Sequence, residues 1–415
     1  MSSNEWKVYS LENLCSKITS GGTPNTQIKE YYGGGIPWLK TQEVTFNRIY
    51  KTETFITEEG LNNSSAKWIP VNAVIVAMYG ATAGRIAINK IPLTTNQACC
   101  NLIVDAQKAN YNFIYYNLLS RFSEIAGMAV GGAQPNLNAG MIKDLKISLP
   151  EIQTQNSIAS ILTSIDEKIE NNLQTNQTLE EIARTLFKEW FGNFNYPNTD
   201  GSVKHSELGE IPSNWKVAGI GEVSYVQNGY AFKSKDFREE GEVGIIKIKN
   251  INGNVVDIEK TDFVEASVVQ RLDKKFKVES GSLLIAMTGA EVGKIGLVPL
   301  TEKNIWLNQR VGMFKEQIAY GNLFMYLLLS SDTYYTAIQN SALGSAQPNI
   351  SASAIESIRA IIPTADLIEQ FGKIVNPMFE KILDNLAENE TLKITRDSLL
   401  PKLMSGEIDV NISNA

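Results

Sequence analysis

The sequence predicts an α/β (α+β) chain with a pseudo-two-fold internal repeat: two similar mixed domains, plus two long helices paired as an antiparallel coiled coil. Three observations predict it. Shifted by 213 residues, Ala133-Gln134-Pro135-Asn136 falls on Ala346-Gln347-Pro348-Asn349, Pro150 on Pro363, and Glu167-Lys168-Ile169 on Glu380-Lys381-Ile382. At an offset of 209, Trp6-Lys7-Val8 falls on Trp215-Lys216-Val217, and Ala77-Met78-Tyr79-Gly80-Ala81 on Ala286-Met287-Thr288-Gly289-Ala290. So long a period, present twice, describes two domains rather than a solenoid of units of about 20 to 50 residues. After each mixed segment, the apolar spacing then changes to steps of three and four.

The elements follow in chain order. Residues 1–150 read as the first mixed domain. Ile36-Pro37-Trp38-Leu39 and Ala73–Met78 look like buried strands, and Gly21-Gly22 and Gly33-Gly34-Gly35 like the turns between such strands. Tyr111–Phe122 and its counterpart Asn322–Asp332 look helical. Residues 151–192 form the first long helix, with an apolar seam of Ile158, Leu162, Ile165, Ile169, Asn172, Asn176, Leu179, Ala183, Leu186 and Trp190. At ~1.5 Å per residue that seam makes a rod of roughly 50 Å. Residues 193–210, with Pro197, Asn198, Asp200 and Gly201, read as a connecting loop. Residues 211–363 repeat the mixed domain. Residues 364–405 repeat the helix, with Phe371, Val375, Met378, Ile382, Asn385, Asn389, Leu392, Arg396, Leu399 and Leu403 in phase; 406–415 form a tail. Pro377 is expected to start or kink the second helix, and Pro401 with Gly406 to end it. Asn172 and Asn176 can face Asn385 and Asn389 if the helices run antiparallel. Paired amides would fix the register, because a slip leaves them unsatisfied.

Composition narrows the function. The chain has 415 residues and a net charge of −7. The charge is uneven: residues 1–150 carry +3, residues 211–363 carry 0, and the helix 151–190 and segment 364–415 carry −4 each. The mixed domains can therefore approach phosphates, while the acidic segments suit protein partners. Cys15, Cys99 and Cys100 have neither metal spacing nor an even framework, so a reducing cytoplasm is expected. Met1–Glu5 is polar and does not read as a signal peptide. The longest apolar runs fall far short of the ~20 residues of a membrane span.

No catalytic constellation emerges. The one histidine, His205, lies in the connecting loop, which argues against a histidine triad or zinc site. Gly289–Lys294 is one residue short of a phosphate loop, with Ile295 in place of the hydroxyl residue. Asn376-Pro377-Met378-Phe379 lacks the second proline of an adenine methyltransferase site. What recurs instead are turns carrying amides and cations, the side chains suited to phosphates and base edges. In the first domain these supply Gly21, Gly22, Thr23, Lys40, Thr41, Gln42, Arg85, Asn96, Gln97, Gln134 and Asn136. In the second they supply Gln227, Asn228, Tyr230, Lys233, Lys247, Lys249, Asn250, Lys294, Asn308, Arg310, Gln347 and Asn349.

With these residues the chain resembles, over essentially its whole length, the specificity subunit of type I restriction–modification systems. The resemblance is carried by Pro150, Gln155, Ile158-Ala159, Ile161-Leu162, Ile165–Ile169, Leu179-Glu180, Leu186-Phe187, Trp190-Phe191 and Leu399–Ile408, with both Trp-Lys-Val openings. It implies two target recognition domains that read an asymmetric bipartite DNA sequence, one half each, with the helical pair setting the spacer. It implies two modification (methyltransferase) subunits as partners, which hold the S-adenosylmethionine, and allows for restriction/translocase subunits. It implies no cofactor and no catalysis in this chain. A stand-alone adenine methyltransferase recognition protein and a non-DNA interaction scaffold are the competing readings. Residues shared by both domains cannot distinguish two half-sites. Gly21/Gly229, Asn96-Gln97/Asn308-Gln309 and the Gln-Pro-Asn pairs are thus expected to serve structure or backbone contact, and the unshared residues to read sequence.

Overall fold

Each mixed domain, here called a head, is closed by pairing its first strand with its last. In the first head Lys7–Ser10 runs antiparallel to Lys146–Leu149; in the second Lys216–Gly219 runs antiparallel to Arg359–Ile362. The computed structural model describes residues 6–129, 136–342 and 348–410. Contacts divide the chain into two units, residues 1–168 with 392–415, and residues 169–391. Each unit holds one head and a stretch of both long helices.

In the first unit a five-stranded sheet has the order Cys15–Ser20, Cys99–Val104, Val74–Ala77, Ile86–Asn89, Arg48–Ile49. A three-stranded sheet of Thr54–Ile56, Tyr32–Leu39 and Thr94–Thr95 lies beside it in sequence. The run from Ala73 to Met78 is continuously apolar because both faces of its strand are covered. Val74 and Val76 join the core beneath the helix Tyr111–Ser120, with Phe113 and Tyr116. Ile75 and Ala77 join a second cluster with Leu39, Leu93 and Cys99. The second head divides its faces in the same way, with Leu283 and Ile285 in one cluster and Leu284 and Ala286 in another.

The first long helix runs Ile152–Phe187 and ends in a π-helical turn, Lys188–Gly192. The second runs Ala365–Ser405. Pro377 and Pro401 both lie inside it, so Pro377 does not start the helix and Pro401 does not end it; the helix stops at Ser405, just before Gly406 with its φ of +75°. Each proline is exposed, as are Lys373 and Asp397 four residues earlier, whose carbonyls lose their partners and can turn to water. The connecting segment also differs from a bare loop: Val203–Ser206 and Gly209–Pro212 form a hairpin. Among the described residues, no helix is long and apolar enough to cross a membrane.

The two helices run antiparallel within each unit. In the first, Ile158 and Leu162 share a core with Leu400, Leu403 and half-buried Leu399. In the second, Ala183 shares one with Phe371, Val375, Phe379 and Ile382, and Leu179, Leu186 and Met378 pack against it. Ile169 is buried; Ile165 and Leu392 are half-buried. Asn172 donates to Asn389 Oδ1 at 2.9 Å, and Asn385 donates to Asn176 Oδ1 at 2.7 Å. One number rises as the other falls, as antiparallel helices require.

Candidate nucleic-acid interface

Glycine sets the geometry of both heads. An added Cβ at Gly21 would lie 2.0 Å from the Thr95 carbonyl oxygen, and at Gly229 2.2 Å from that of Asn308. Only a bare backbone approaches so closely. Gly22 N–H donates to Thr95 O and Tyr230 N–H to Leu307 O, each at 2.8 Å. Asn96 N–H donates to Leu39 O, and Asn308 N–H to Ile246 O. The Gly21–Thr23 turn, the Lys40 turn and Asn96-Gln97 therefore meet at one edge. Thr23 and Gln97 join their side chains there.

Neighbouring turns extend this edge. Met78 N–H donates to Ala98 O, and Leu137 N–H to Met78 O. Tyr79 bridges Asn136 just as Thr288 bridges Asn349. Arg85 closes the adjoining turn by donating its N–H to Thr82 O; Lys294 does so to Glu291 O. The shared Gly and Asn positions thus contribute backbone contacts. Exposed Gln42, Gln97 and Asn136 in the first head, and Asn228, Lys233, Arg310 and Asn349 in the second, are open to solvent. Gln227 folds its amide back onto Asn228 O. Gln134 and Gln347 lie outside the described residues.

Two residues expected to face a ligand are buried. Thr41 is buried, as the first residue of the turn Thr41–Glu43. Asn250 is buried too: it accepts from Lys247 N–H and donates to the carbonyls of Asp257 and Lys260. A surface amide reading of the sequence misses this, because Asn250 replaces a loop's missing backbone bonds. Lys294 is paired with Glu291, and Lys247 and Lys249 with Asp262. By contrast Lys40, Arg85, Lys233 and Arg310 make no ion pair among the described residues. Partial burial pushes the Asp262 carboxyl up, but the bonds from Lys247 and Lys249 outweigh it and hold the group below the usual range.

Three features escaped sequence reasoning. Tyr79 is exposed beside Asn136; its signal was being the one mismatch in the Ala77–Ala81 repeat. Asp262 carried no signal. Nor did the buried group in the first unit that joins Arg48, Tyr116, Asp166 and Arg396. Tyr116 donates to Asp166 Oδ2 at 2.6 Å and receives a bond from Arg48; Arg396 donates to Asp166 Oδ1 at 2.9 Å. The counterpart tyrosine, Tyr326, donates to Glu180 at 2.7 Å.

Comparison with known proteins agrees with this architecture. The family model described as the type I restriction modification DNA specificity domain matches residues 3–181 and again 212–393. The type I restriction enzyme MjaIX specificity subunit of Methanocaldococcus jannaschii is 30% identical over 98% of this chain and 94% of its own length. The HindI specificity subunit of Haemophilus influenzae is 24% identical over 98% of this chain and all of its own. The crystal structure of the type I restriction–modification S subunit from M. genitalium shares the fold at a TM-score of 0.64, with 18% identity and 97% of both chains covered. From the doubled heads, the paired helices and these likenesses together, the chain belongs to the type I restriction–modification DNA specificity family, as a non-catalytic subunit that recognises DNA sequence.

Proposed function

We propose that the two heads read the two dissimilar halves of a bipartite DNA target, while the helical pair sets the unread spacer and docks two methyltransferase subunits. One observation carries this reading: the same backbone frame presents different side chains in each head. Gly22 and Tyr230 donate equivalent hydrogen bonds, as do Asn96 and Asn308, yet the neighbouring side chains differ: exposed Gln42 and half-buried Arg85 against exposed Lys233 and Arg310. A common frame with unlike surfaces suits an asymmetric target, since base edges are told apart by donor and acceptor pattern.

The methyltransferase partners would hold the S-adenosylmethionine, and restriction/translocase subunits would join that core. The long helices are acidic on their exposed faces and suit protein partners better than DNA. The heads carry little net positive charge, so phosphate contacts alone give weak binding. Tight binding is therefore expected only with the methyltransferase subunits present. The test is a gel shift of target DNA with and without those subunits, joined to mapping of the methylated motif. Two unlike half-sites at a fixed gap support the reading. Tight specific binding by the isolated chain, or binding of protein alone with no DNA shift in the assembled complex, overturns it.

A further inference from the structure

We propose that Asp262 is a specificity-determining residue of the second head: its carboxylate restrains Lys247 and Lys249, so that this head gains little from the phosphates of unrelated DNA. The inference rests on the reading of this loop cluster as DNA-facing.

The geometry comes from comparing the heads. Lys40 and Lys247 occupy the same place, each preceding a one-turn helix and giving its N–H to a side chain three residues on, Glu43 or Asn250. Two residues before each lysine, the strands pair Trp38 with Thr54 and Ile245 with Asp262. The first head therefore has a threonine where the second has a carboxylate. Its lysine lies 5.6 Å from the Trp38 ring centroid, with no ion pair among the described residues. In the second head Lys247 Nζ is 2.7 Å from Asp262 Oδ2 and 3.4 Å from the Phe237 ring centroid. Lys249 Nζ is 2.9 Å from Asp262 Oδ1.

Three charged groups thus present one net positive charge instead of two. The Asp262 side chain is 30% exposed, so the pairing is partly screened and can be exchanged. Nonspecific affinity follows the number of phosphates neutralised, whereas base contacts carry the sequence. A carboxylate that subtracts from the first term and not the second sharpens discrimination. It also penalises a misplaced backbone, because phosphate and Asp262 repel.

The experiment measures binding of the chain, assembled with its methyltransferase subunits, to random-sequence duplex lacking the target, across a salt series. Asp262→Asn should steepen the slope of log affinity against log salt by about 0.9. Affinity for the random duplex should then rise roughly fivefold near physiological salt, with target discrimination falling by the same factor. Thr54→Asp, which installs the carboxylate opposite Lys40, should shift both quantities the other way. Unchanged slopes in both variants overturn the proposal. Arg310→Ala and Lys233→Ala are tested on target DNA in parallel. If they weaken binding while Asp262→Asn changes nothing, only the role of Asp262 fails. If neither affects binding, the DNA-facing reading of this head fails.

Discussion

Tyr116 donates its hydroxyl to Asp166 across 2.6 Å in a site closed to solvent, joining the first head to the first long helix. The same carboxylate receives Arg396 from the second long helix at 2.9 Å and lies 3.6 Å from Arg48. One acid therefore ties a head and both helices together within this unit. Asp166→Ala should cost about 3–5 kcal/mol, because two largely buried guanidinium groups lose their counter-charge. Tyr116→Phe should cost less, about 1–2 kcal/mol, since it removes a single charge-assisted bond. Chemical denaturation of both variants checks the order; equal midpoints for Asp166→Ala and the parent would show that the site is solvated.

The seam amides make a different prediction. Asn172→Leu leaves Asn389 without its partner and should destabilise by about 1–3 kcal/mol. Replacing both by leucine should recover most of that loss, because no buried polar group is then orphaned. Adding Asn176→Leu and Asn385→Leu removes the second amide pair as well, and that quadruple variant should lose register. Cysteine pairs placed for crosslinking one turn out of register should react in it and not in the parent.

Head-specific reading has its own signature. Arg310→Ala should relax the methylated motif in one half only, and Arg85→Ala in the other. A bidentate arginine contact is worth about 1–3 kcal/mol of base discrimination. Motif sequencing of methylated DNA reports both halves at once. A change in both halves from either substitution would show these cations holding phosphate rather than base.

Alkali should destabilise the first unit. Burial pushes the Cys15 and Cys100 thiols up to about 12, and Cys99 higher still. Burial, then the nearby Asp166 charge, also raises the Tyr116 hydroxyl. A raised value in the folded state means the neutral form is favoured there. The contribution is thus complete below the unfolded thiol range, about 8.5, and is lost as pH climbs toward 12. Melting temperature should stay level from pH 6 to about 8.5 and then fall. At pH 8 a thiol reagent should label the protein only after denaturant is added.

The duplication and the helical pair were legible because both are periodic. A 213-residue echo needs no structure, and a three-four spacing survives whatever packs on it. Asn172, Asn176, Asn385 and Asn389 were visible for the same reason: polar residues in phase with an apolar seam. What stayed hidden depends on partners distant in sequence. Asp166 follows a seam residue, and nothing near it in sequence shows that Arg48 and Arg396 are brought to it from 118 positions before and 230 after. Asn250 reads as a polar loop residue because nothing local says that two carbonyls need its amide. Pro401 misled because a proline's effect on a helix depends on whether the freed carbonyl can meet water.

The ion cluster around Asp166 also shows how far the halves have drifted from interchangeability. By the 213-residue offset, Arg396 corresponds to Ala183, and Asp166 to Phe379. Two copies of the first half laid against each other would set alanine where the guanidinium stands, leaving each acid one cation short. Two copies of the second would bring a guanidinium against a phenyl ring in place of a carboxylate. Because both halves lie in one polypeptide, Asp166 meets its complementary cation, and the two helices act as opposite, non-interchangeable members of a mismatched couple.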